Sequence, residues 1–198
     1  MNSFFAMMAR MKYIERWALM RNANKENISE HSLEVAMLAH GLAIIAKEKC
    51  GRDIEPNEVA LMGVYHDANE IITGDMPTPV KYYDQAIQEA YKRVENVASH
   101  TMINKLPEYM RGYYEPLFFQ KKGKEYEWLL VKAADKLSAL IKCREELRSG
   151  NEEFKTAETS TKKTLENMNM KEVEIFMNDF LPAYELTLDE LQQTEGDR

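Results

Sequence analysis

The chain has 198 residues, of which 44% are apolar and 30% are charged, and its formal net charge is -7. This length and composition are typical of one globular domain with an ordinary hydrophobic core, and they argue against a disordered or fibrous chain. The negative charge argues against general binding to nucleic-acid backbones, which depends on clustered lysines and arginines. We therefore expect one domain over residues 1–198 and no nucleic-acid polymer as partner.

The sequence carries no pattern typical of membrane insertion or of export. No apolar run approaches the roughly 18 residues that span a bilayer, and the first residues lack the regions of a signal peptide. We therefore expect a cytoplasmic protein without membrane contact. Cys50 and Cys143 lack the spacing of a metal site, so we expect both to be reduced thiols.

The first segment with chemical interest places Arg16 beside Trp17. A guanidinium can hold a phosphate through paired hydrogen bonds, and an indole offers a flat surface to a sugar or a base. The alternative is a helix with one buried tryptophan and surface arginines. The residues alone leave both interpretations open.

A helix is predicted from about residue 28 to residue 49. Asn27 and Glu30 have the spacing of a capping box, and an apolar run follows at once. This helix places His31 in its first turn. Apolar or aromatic side chains at intervals of three and four residues predict one buried face, formed by Leu33, Ala36, Met37, His40, Ile44 and Ile45.

A second helix is predicted to begin at Pro56 and to continue toward Gly74. His66 and Asp67 fall inside this predicted helix. After it, the glycine and the two prolines of residues 73–79 predict a rigid loop that cannot continue as helix.

The remainder of the chain continues the helical pattern, and no alternating pattern indicates a strand. The expected class is therefore all-α. Pro182 predicts a kink or a boundary within the last helical stretch. The further helices are predicted at about 82–106, 108–119, 126–148, 152–167 and 170–192.

Asp135 lies in the middle of the strongest of these helices, among aliphatic residues. Burial of a carboxylate costs several kcal/mol unless the group is paired or binds a metal. A salt bridge to Arg16 or to a lysine is the structural alternative. Together with His31, His66 and Asp67, however, Asp135 completes a nitrogen and oxygen ligand set that suits a first-row divalent metal.

Glu70 is the candidate for acid-base chemistry. Residues three and four apart share one face of a helix, so Glu70 is expected to lie beside His66 and Asp67. From there its carboxyl could serve a water at the metal. We therefore predict Glu70 and Asp67 as catalytic residues.

The order His, His-Asp and distant Asp resembles that of the HD-domain metal-dependent phosphohydrolases. Further segments resemble the bacterial HD-domain 5'-deoxynucleotidases of the YfbR type, and the resemblance extends over almost the whole chain. It implies an HD-domain helical bundle with a metal-site core at about 27–140 and C-terminal helices at about 152–192. The segments that carry this resemblance are residues 16–17, 19–22, 26–27, 29–33, 65–68 and 73–81.

The resemblance also implies an activity, a cofactor and an assembly. Members remove phosphate from deoxyribonucleoside 5'-monophosphates with one divalent transition metal, and they are cytoplasmic homodimers. Cobalt is the metal expected in vitro, with manganese, copper or zinc as alternatives. By position, the metal ligands would be His31, His66, Asp67 and Asp135.

The resemblance implies substrate contacts as well, and it connects the Arg16 position with the choice of deoxyribose over ribose. Two other functions stay open. One is an HD phosphohydrolase that acts on nucleoside triphosphates or cyclic phosphodiesters, and the other is a nucleotide-binding module without turnover. The implied substrate-binding residues are Arg16, Trp17, Asp67, Asp75, Met76, Pro77, Thr78 and Asp135.

Overall fold

The structure, a computed structural model, describes residues 1–81 and 83–193. These residues form helices and contain no strand, apart from one isolated antiparallel bridge between Glu15 and Asn27. The predicted all-α class is therefore confirmed. The predicted start of a helix at residue 82 and the last five residues of the predicted domain lie outside the described part, and the one-domain organisation stays a prediction.

The described residues contain eleven α-helices and three short 3₁₀ helices. The 3₁₀ helices comprise residues Met11–Tyr13, Glu152–Phe154 and Leu181–Glu185. The α-helices are α1 (Phe4–Met8), α2 (Ile28–Cys50), α3 (Pro56–Tyr65), α4 (Glu70–Thr73), α5 (Thr78–Lys81), α6 (Gln85–Ile103), α7 (Glu108–Phe118), α8 (Glu125–Arg148), α9 (Lys155–Asn167), α10 (Lys171–Asp179) and α11 (Leu188–Gln192).

Helix α2 begins and ends at local signals. The Asn27 side chain accepts hydrogen bonds from the backbone N–H groups of Ser29 and Glu30, and the Glu30 carboxylate accepts one from the Asn27 N–H. This confirms the predicted capping box. Gly51 ends the helix with a φ of 66°, a conformation that glycine adopts without a steric penalty.

The main core lies around α2 and α8, with α3, α9 and α10 packed against them. The backbones of α2 and α3 come unusually close at Gly63, where an added Cβ would lie 2.8 Å from the Ala36 Cα. Beyond this contact, the rings of His31 and His66 have centroids 5.2 Å apart. The helix contact therefore places the first turn of α2 beside the end of α3.

The predicted buried face of α2 is wrong for three of its residues. Leu33, Met37 and Ile44 are 62%, 61% and 41% exposed. The helix instead packs through a face that includes Val35 and Leu42, which are completely buried. Apolar residues occur on both sides of α2, so their spacing alone does not identify the side that meets the core.

The second predicted helix is shorter than the sequence indicates. Helix α3 ends at Tyr65, and residues 66–69 form turns before α4 begins. The N–H of Ala68 bonds to the Tyr65 carbonyl at 3.0 Å and that of Glu70 to the Asp67 carbonyl at 2.9 Å. These bonds join residues three apart, which tightens the chain relative to an α-helix. His66 and Asp67 therefore lie at the end of α3, not inside a continuous helix.

Two further expectations about proline have mixed outcomes. Residues 74–77 are not helical, as predicted, but Thr78 and Pro79 belong to the short helix α5. Proline is compatible with a first helical turn because its missing N–H has no partner there. Pro182 lies in the 3₁₀ helix after α10, which confirms the predicted boundary.

Among the described residues, no helix combines the length and the apolar character that crossing a membrane requires. Cys50 and Cys143 are both free thiols, as expected.

Candidate metal centre

The predicted ligand residues come from three different helical regions and meet at one point. His31 is completely buried, and its Nε2 lies 3.4 Å from Asp67 Oδ2 and 3.3 Å from Asp135 Oδ1. His66 Nε2 lies 3.0 Å from the same oxygen of Asp67. One carboxylate oxygen therefore faces two imidazole nitrogens.

The two Nε2 atoms are suited to hold a cation. His66 Nδ1 lies 2.7 Å from the Gly63 carbonyl, which requires a proton on Nδ1 and leaves a lone pair on Nε2 in the neutral ring. Within the described part of the chain, neither His31 Nε2 nor His66 Nε2 has a hydrogen-bond partner, although both are buried. Buried nitrogens without hydrogen bonds, next to carboxylates, are typical of a metal site.

Three of the predicted ligands form a compact group. Ligand atoms of His31, His66 and Asp67 all lie within 4.8 Å of one another. Asp135 lies beside the group through Oδ1, while its Oδ2 is 3.0 Å from Lys136 Nζ. Arg16 is also near, at 3.8 Å from Asp135 Oδ1. Asp135 thus has both the contact with the cluster and the ion pairs that were considered as its alternative.

The charges of the cluster are strongly coupled. Burial and the neighbouring Arg16 lower the pKa of His31, but Asp135, Asp67 and Glu26 together raise it to about 10. Burial raises the pKa of Asp67, yet His66 and His31 hold it well below its usual value. A proton on His31 therefore balances the carboxylates, and a metal that binds Nε2 would release this proton.

A hydrogen-bonded pair supports His31 from behind. Its Nδ1 lies 3.0 Å from Ser138 Oγ, and Ser138 in turn donates to Glu34 Oε2 at 2.5 Å. When Nε2 binds a cation, Nδ1 keeps its proton and donates it to the serine. Such partners orient a ligand imidazole and raise its basicity.

Glu70 lies at the start of α4 and is only 6% exposed. Burial, Asp67 and Asp75 raise the pKa of Glu70 to about 10. Its Oε2 has no hydrogen-bond partner among the described residues. Glu70 therefore holds a proton at neutral pH, in an environment dominated by neighbouring carboxylates.

Arg16 and Trp17 lie on the segment from Glu15 to Asn27, which we call the arm. Arg16 Nη1 lies 3.1 Å from Glu26 Oε1 and 2.7 Å from His31 Nδ1. Trp17 Nε1 donates to the other oxygen of Glu26 at 2.9 Å. One carboxylate thus holds both predicted substrate residues at the edge of the metal cluster.

Trp17 is held in an unfavourable backbone conformation. Its φ is 58°, in the left-handed region that aromatic residues rarely adopt. Such a conformation costs about 1–3 kcal/mol and persists only where the surroundings impose it. Trp17 is not in a helix, so the alternative of a helical Arg16–Trp17 segment is wrong.

The predicted pocket loop approaches the cluster only at its first residue. The pKa of Asp75 is raised by burial and by Asp67, and lowered by Arg16 and by a hydrogen bond from the Trp17 backbone. Asp75 therefore faces both the arm and the cluster. Met76, Pro77 and Thr78 follow toward the surface, and none of them has a described contact with the ligand residues.

The sequence analysis assigned no role to three residues that contact the cluster. Glu26 appeared only as part of the family resemblance, although it binds Arg16 and Trp17. Ser138 and Glu34 each lie three residues after a predicted ligand, so they share its helix face. That spacing is a signal that could have identified both.

Comparison with known proteins places the chain among characterised sequences. A family profile described as 5'-deoxynucleotidase YfbR-like matches residues 3–184. A 5'-deoxynucleotidase of Erwinia tasmaniensis is 49% identical over 190 residues, which cover 96% of each chain. The 5'-deoxynucleotidase YfbR of Salmonella paratyphi B is 46% identical over the same length and coverage.

Solved structures share the fold. An HD-domain phosphohydrolase from Listeria innocua superposes with a TM-score of 0.78 at 22% identity, over 92% of this chain and 88% of its own. The HD phosphohydrolase of cyanophage S-2L, solved with dA and one catalytic Zn²⁺ ion, has a TM-score of 0.65 at 18% identity. It covers 92% of this chain and 96% of its own. The HD-domain helical architecture is therefore confirmed.

Proposed function

Because the chain belongs to the family of YfbR-like 5'-deoxynucleotidases, and is therefore a phosphomonoester hydrolase, we propose that the buried cluster is its catalytic metal centre. The substrate is a deoxyribonucleoside 5'-monophosphate, and the products are a deoxyribonucleoside and inorganic phosphate. One observation carries the assignment of the site: the buried Nε2 atoms of His31 and His66 have no hydrogen-bond partner among the described residues and converge on Asp67.

We propose that His31, His66, Asp67 and Asp135 hold one divalent transition metal. When bound, such a metal supplies Lewis acidity toward phosphate oxygens and makes water a better nucleophile at neutral pH. Asp67 is placed to act twice, because it lies next to both histidines and within the field that controls Glu70. Nitrogen and oxygen ligands suit cobalt, manganese, copper or zinc, and cobalt is our choice for assay in vitro.

Arg16 is proposed to orient the phosphate group. Its guanidinium is 10% exposed and is fixed by Glu26, while its Nε is buried without a partner in the described residues. A fixed, always protonated fork with an unused donor is suited to a phosphate oxygen. The substrate phosphate then lies between Arg16 and the ligand carboxylates, which are otherwise its repulsive neighbours.

Trp17 is proposed to exclude ribose. The indole is held on both sides, by Glu26 at Nε1 and by the Phe154 ring at a centroid distance of 5.3 Å. A wall that cannot retreat makes an added 2' hydroxyl costly, since the hydroxyl either clashes or loses its hydrogen bonds. Asp75 is proposed to complete the sugar side of the pocket, followed by Met76, Pro77 and Thr78.

Glu70 is proposed to give its proton to the leaving 5' oxygen. Its raised pKa favours the protonated form, and the pKa comes closer to neutrality when a cation neutralises Asp67. A carboxyl in this range can donate a proton in the transition state. Water is then activated by the metal ligands, while Glu70 stabilises the alcohol that leaves.

Two expectations about the assembled protein remain proposals. We propose a homodimer, which sedimentation velocity of the purified protein would test, with a single monomer mass as the contrary result. We also propose a cytoplasmic location, which cell fractionation would test.

The activity itself is tested with purified protein that has been chelated and then resupplied with cobalt, manganese, magnesium or zinc. We expect phosphate release from deoxyribonucleoside 5'-monophosphates and little from the matching ribonucleotides. Release of triphosphate from a nucleoside triphosphate, or silence with every metal, would contradict the proposal.

A further inference from the structure

A second buried carboxylate lies away from the metal cluster, near the C-terminal end of α8. Glu146 is 0% exposed. Its Oε2 accepts hydrogen bonds from the Ala23 N–H at 2.8 Å and from Asn151 Nδ2 at 2.8 Å. Its Oε1 accepts from the Asn24 N–H at 3.1 Å and from Lys142 Nζ at 2.5 Å. Four donors therefore surround this carboxylate, and two of them belong to the backbone of the arm.

The neighbours of Glu146 bind the same part of the arm. Asn151 Nδ2 also donates to the Arg21 carbonyl at 2.6 Å. Lys142 Nζ donates to the Asn24 carbonyl. The backbone from Arg21 to Asn24 is thus held by three side chains that lie about 120 residues later in the sequence.

The held backbone is connected directly to Trp17. Asn22, between the bound residues, donates from Nδ2 to the Trp17 carbonyl at 3.2 Å and to the Met20 carbonyl at 2.9 Å. The Trp17 ring packs on Phe154, which follows Asn151 in the chain. The position of Trp17 therefore depends on the same junction of α8 with the residues after it.

We propose that Glu146 is a positioning residue for substrate selection: through the backbone of residues 23 and 24 it holds the arm so that Arg16 and Trp17 face the metal cluster. This inference rests on the proposed roles of Arg16 and Trp17 in binding the nucleotide. Nothing in the reaction requires Glu146 to touch the substrate or the metal.

The physical argument concerns the populations of arm conformations. The arm contains no α-helix, and its one β-bridge lies at its ends. The φ of Trp17 shows that the chain would leave this conformation without restraint. Only molecules with the arm in place can bind substrate in full, so the apparent affinity falls in proportion to their fraction.

Glu146→Gln is the informative change, because glutamine has nearly the same shape but can accept at only one of its two terminal atoms. Its NH₂ group must face two donors. Glu145→Gln is the matched control, since Glu145 is the exposed neighbour on the same helix and no described side-chain hydrogen bond involves it. Both are made in a Trp128→Phe background, in which Trp17 is the one remaining tryptophan.

Three quantities are measured on the metal-loaded enzymes: acrylamide quenching of Trp17 fluorescence, the separate kcat and KM, and the ratio of deoxyribonucleotide to ribonucleotide hydrolysis. If the arm is in place about a tenth of the time in Glu146→Gln, KM rises about tenfold. We expect this rise together with stronger quenching and a smaller ratio, while kcat and metal affinity stay close to those of Glu145→Gln. A general loss of structure would instead lower metal affinity.

Asn151→Ala provides a second test that leaves the Glu146–Lys142 pair in place and removes the donor to the Arg21 carbonyl. It should change the same three quantities in the same direction. Arg16→Ala is measured in parallel. If Arg16→Ala changes KM and the sugar ratio but Glu146→Gln and Asn151→Ala do not, the inference is overturned. If Arg16→Ala itself leaves both unchanged, the proposed role of the arm in substrate binding has failed instead.

Discussion

Gly63→Ala should weaken both the fold and the metal centre, because no atom at this helix contact can yield cheaply. The new Cβ would lie 2.8 Å from the Ala36 Cα and 3.1 Å from its backbone nitrogen. Ordinary contacts begin near 3.4 Å, so the backbones of α2 and α3 must separate by about 0.6 Å, the difference between 3.4 and 2.8 Å.

The cost follows from this displacement. Overpacking in a core costs about 1–3 kcal/mol, and alanine regains up to about 1 kcal/mol through its higher helix propensity. We expect a net loss of about 1–2 kcal/mol in the free energy of unfolding. His66 moves with α3, because its Nδ1 bonds to the Gly63 carbonyl. Metal ligands tolerate shifts of about 0.2 Å, so metal affinity should fall at least about tenfold.

Urea denaturation in the presence of a chelator measures the first effect, and competition with a metal indicator measures the second. Gly41→Ala is the control, since Gly41 lies within α2 with nothing within 4 Å of the added Cβ. That control should gain about 0.5–1 kcal/mol and bind metal normally. If Gly63→Ala were as stable as the wild type and bound metal equally well, the contact between α2 and α3 would not position the centre.

Three other results are expected. Glu70→Gln should bind metal normally but lose about a hundredfold or more in kcat for phosphate release, and near-normal turnover would remove Glu70 from the mechanism. Arg16→Ala should bring the hydrolysis rates of deoxyribonucleotides and ribonucleotides closer together, whereas an unchanged ratio would refute its role in selection. Burial raises the pKa of Glu146, but its four donors outweigh burial and lower it from 4.5 to about 2. Its charge therefore stabilises the fold fully above about pH 5 by up to about 3 kcal/mol, and this is lost as the pH falls toward 2. The difference in urea midpoint between the wild type and Glu146→Gln should narrow over that range, and a constant difference would contradict the assignment.

Local signals in the sequence predict much of the fold. The capping box at Asn27 and Glu30 lies where helix α2 begins, and Pro182 lies at the predicted break. Both depend on a few adjacent residues, so they are visible without the tertiary structure. The end of α3 is different, because apolar residues continue past Tyr65 while the backbone tightens into turns at His66 and Asp67.

The ligand residues were predictable because few residue types bind metals and few functions explain them on apolar helices. Their supports were not. Ser138 and Glu34 are common residues on helices, and only the structure shows that they continue the hydrogen bonds of His31. The contact of Glu146 with the arm joins residues more than 120 positions apart, and no periodic pattern records such a pairing.

The most direct test of the account is a titration of chelated protein with Co²⁺, followed by the cobalt absorption bands and by phosphate release from a deoxyribonucleoside 5'-monophosphate in the same samples. The account predicts that both signals rise together and level off at one equivalent, and that His66→Ala shows neither at that ratio. Full phosphate release from the chelated wild type, or equal cobalt binding by His66→Ala, would contradict the assignment of His31, His66, Asp67 and Asp135 as the metal centre.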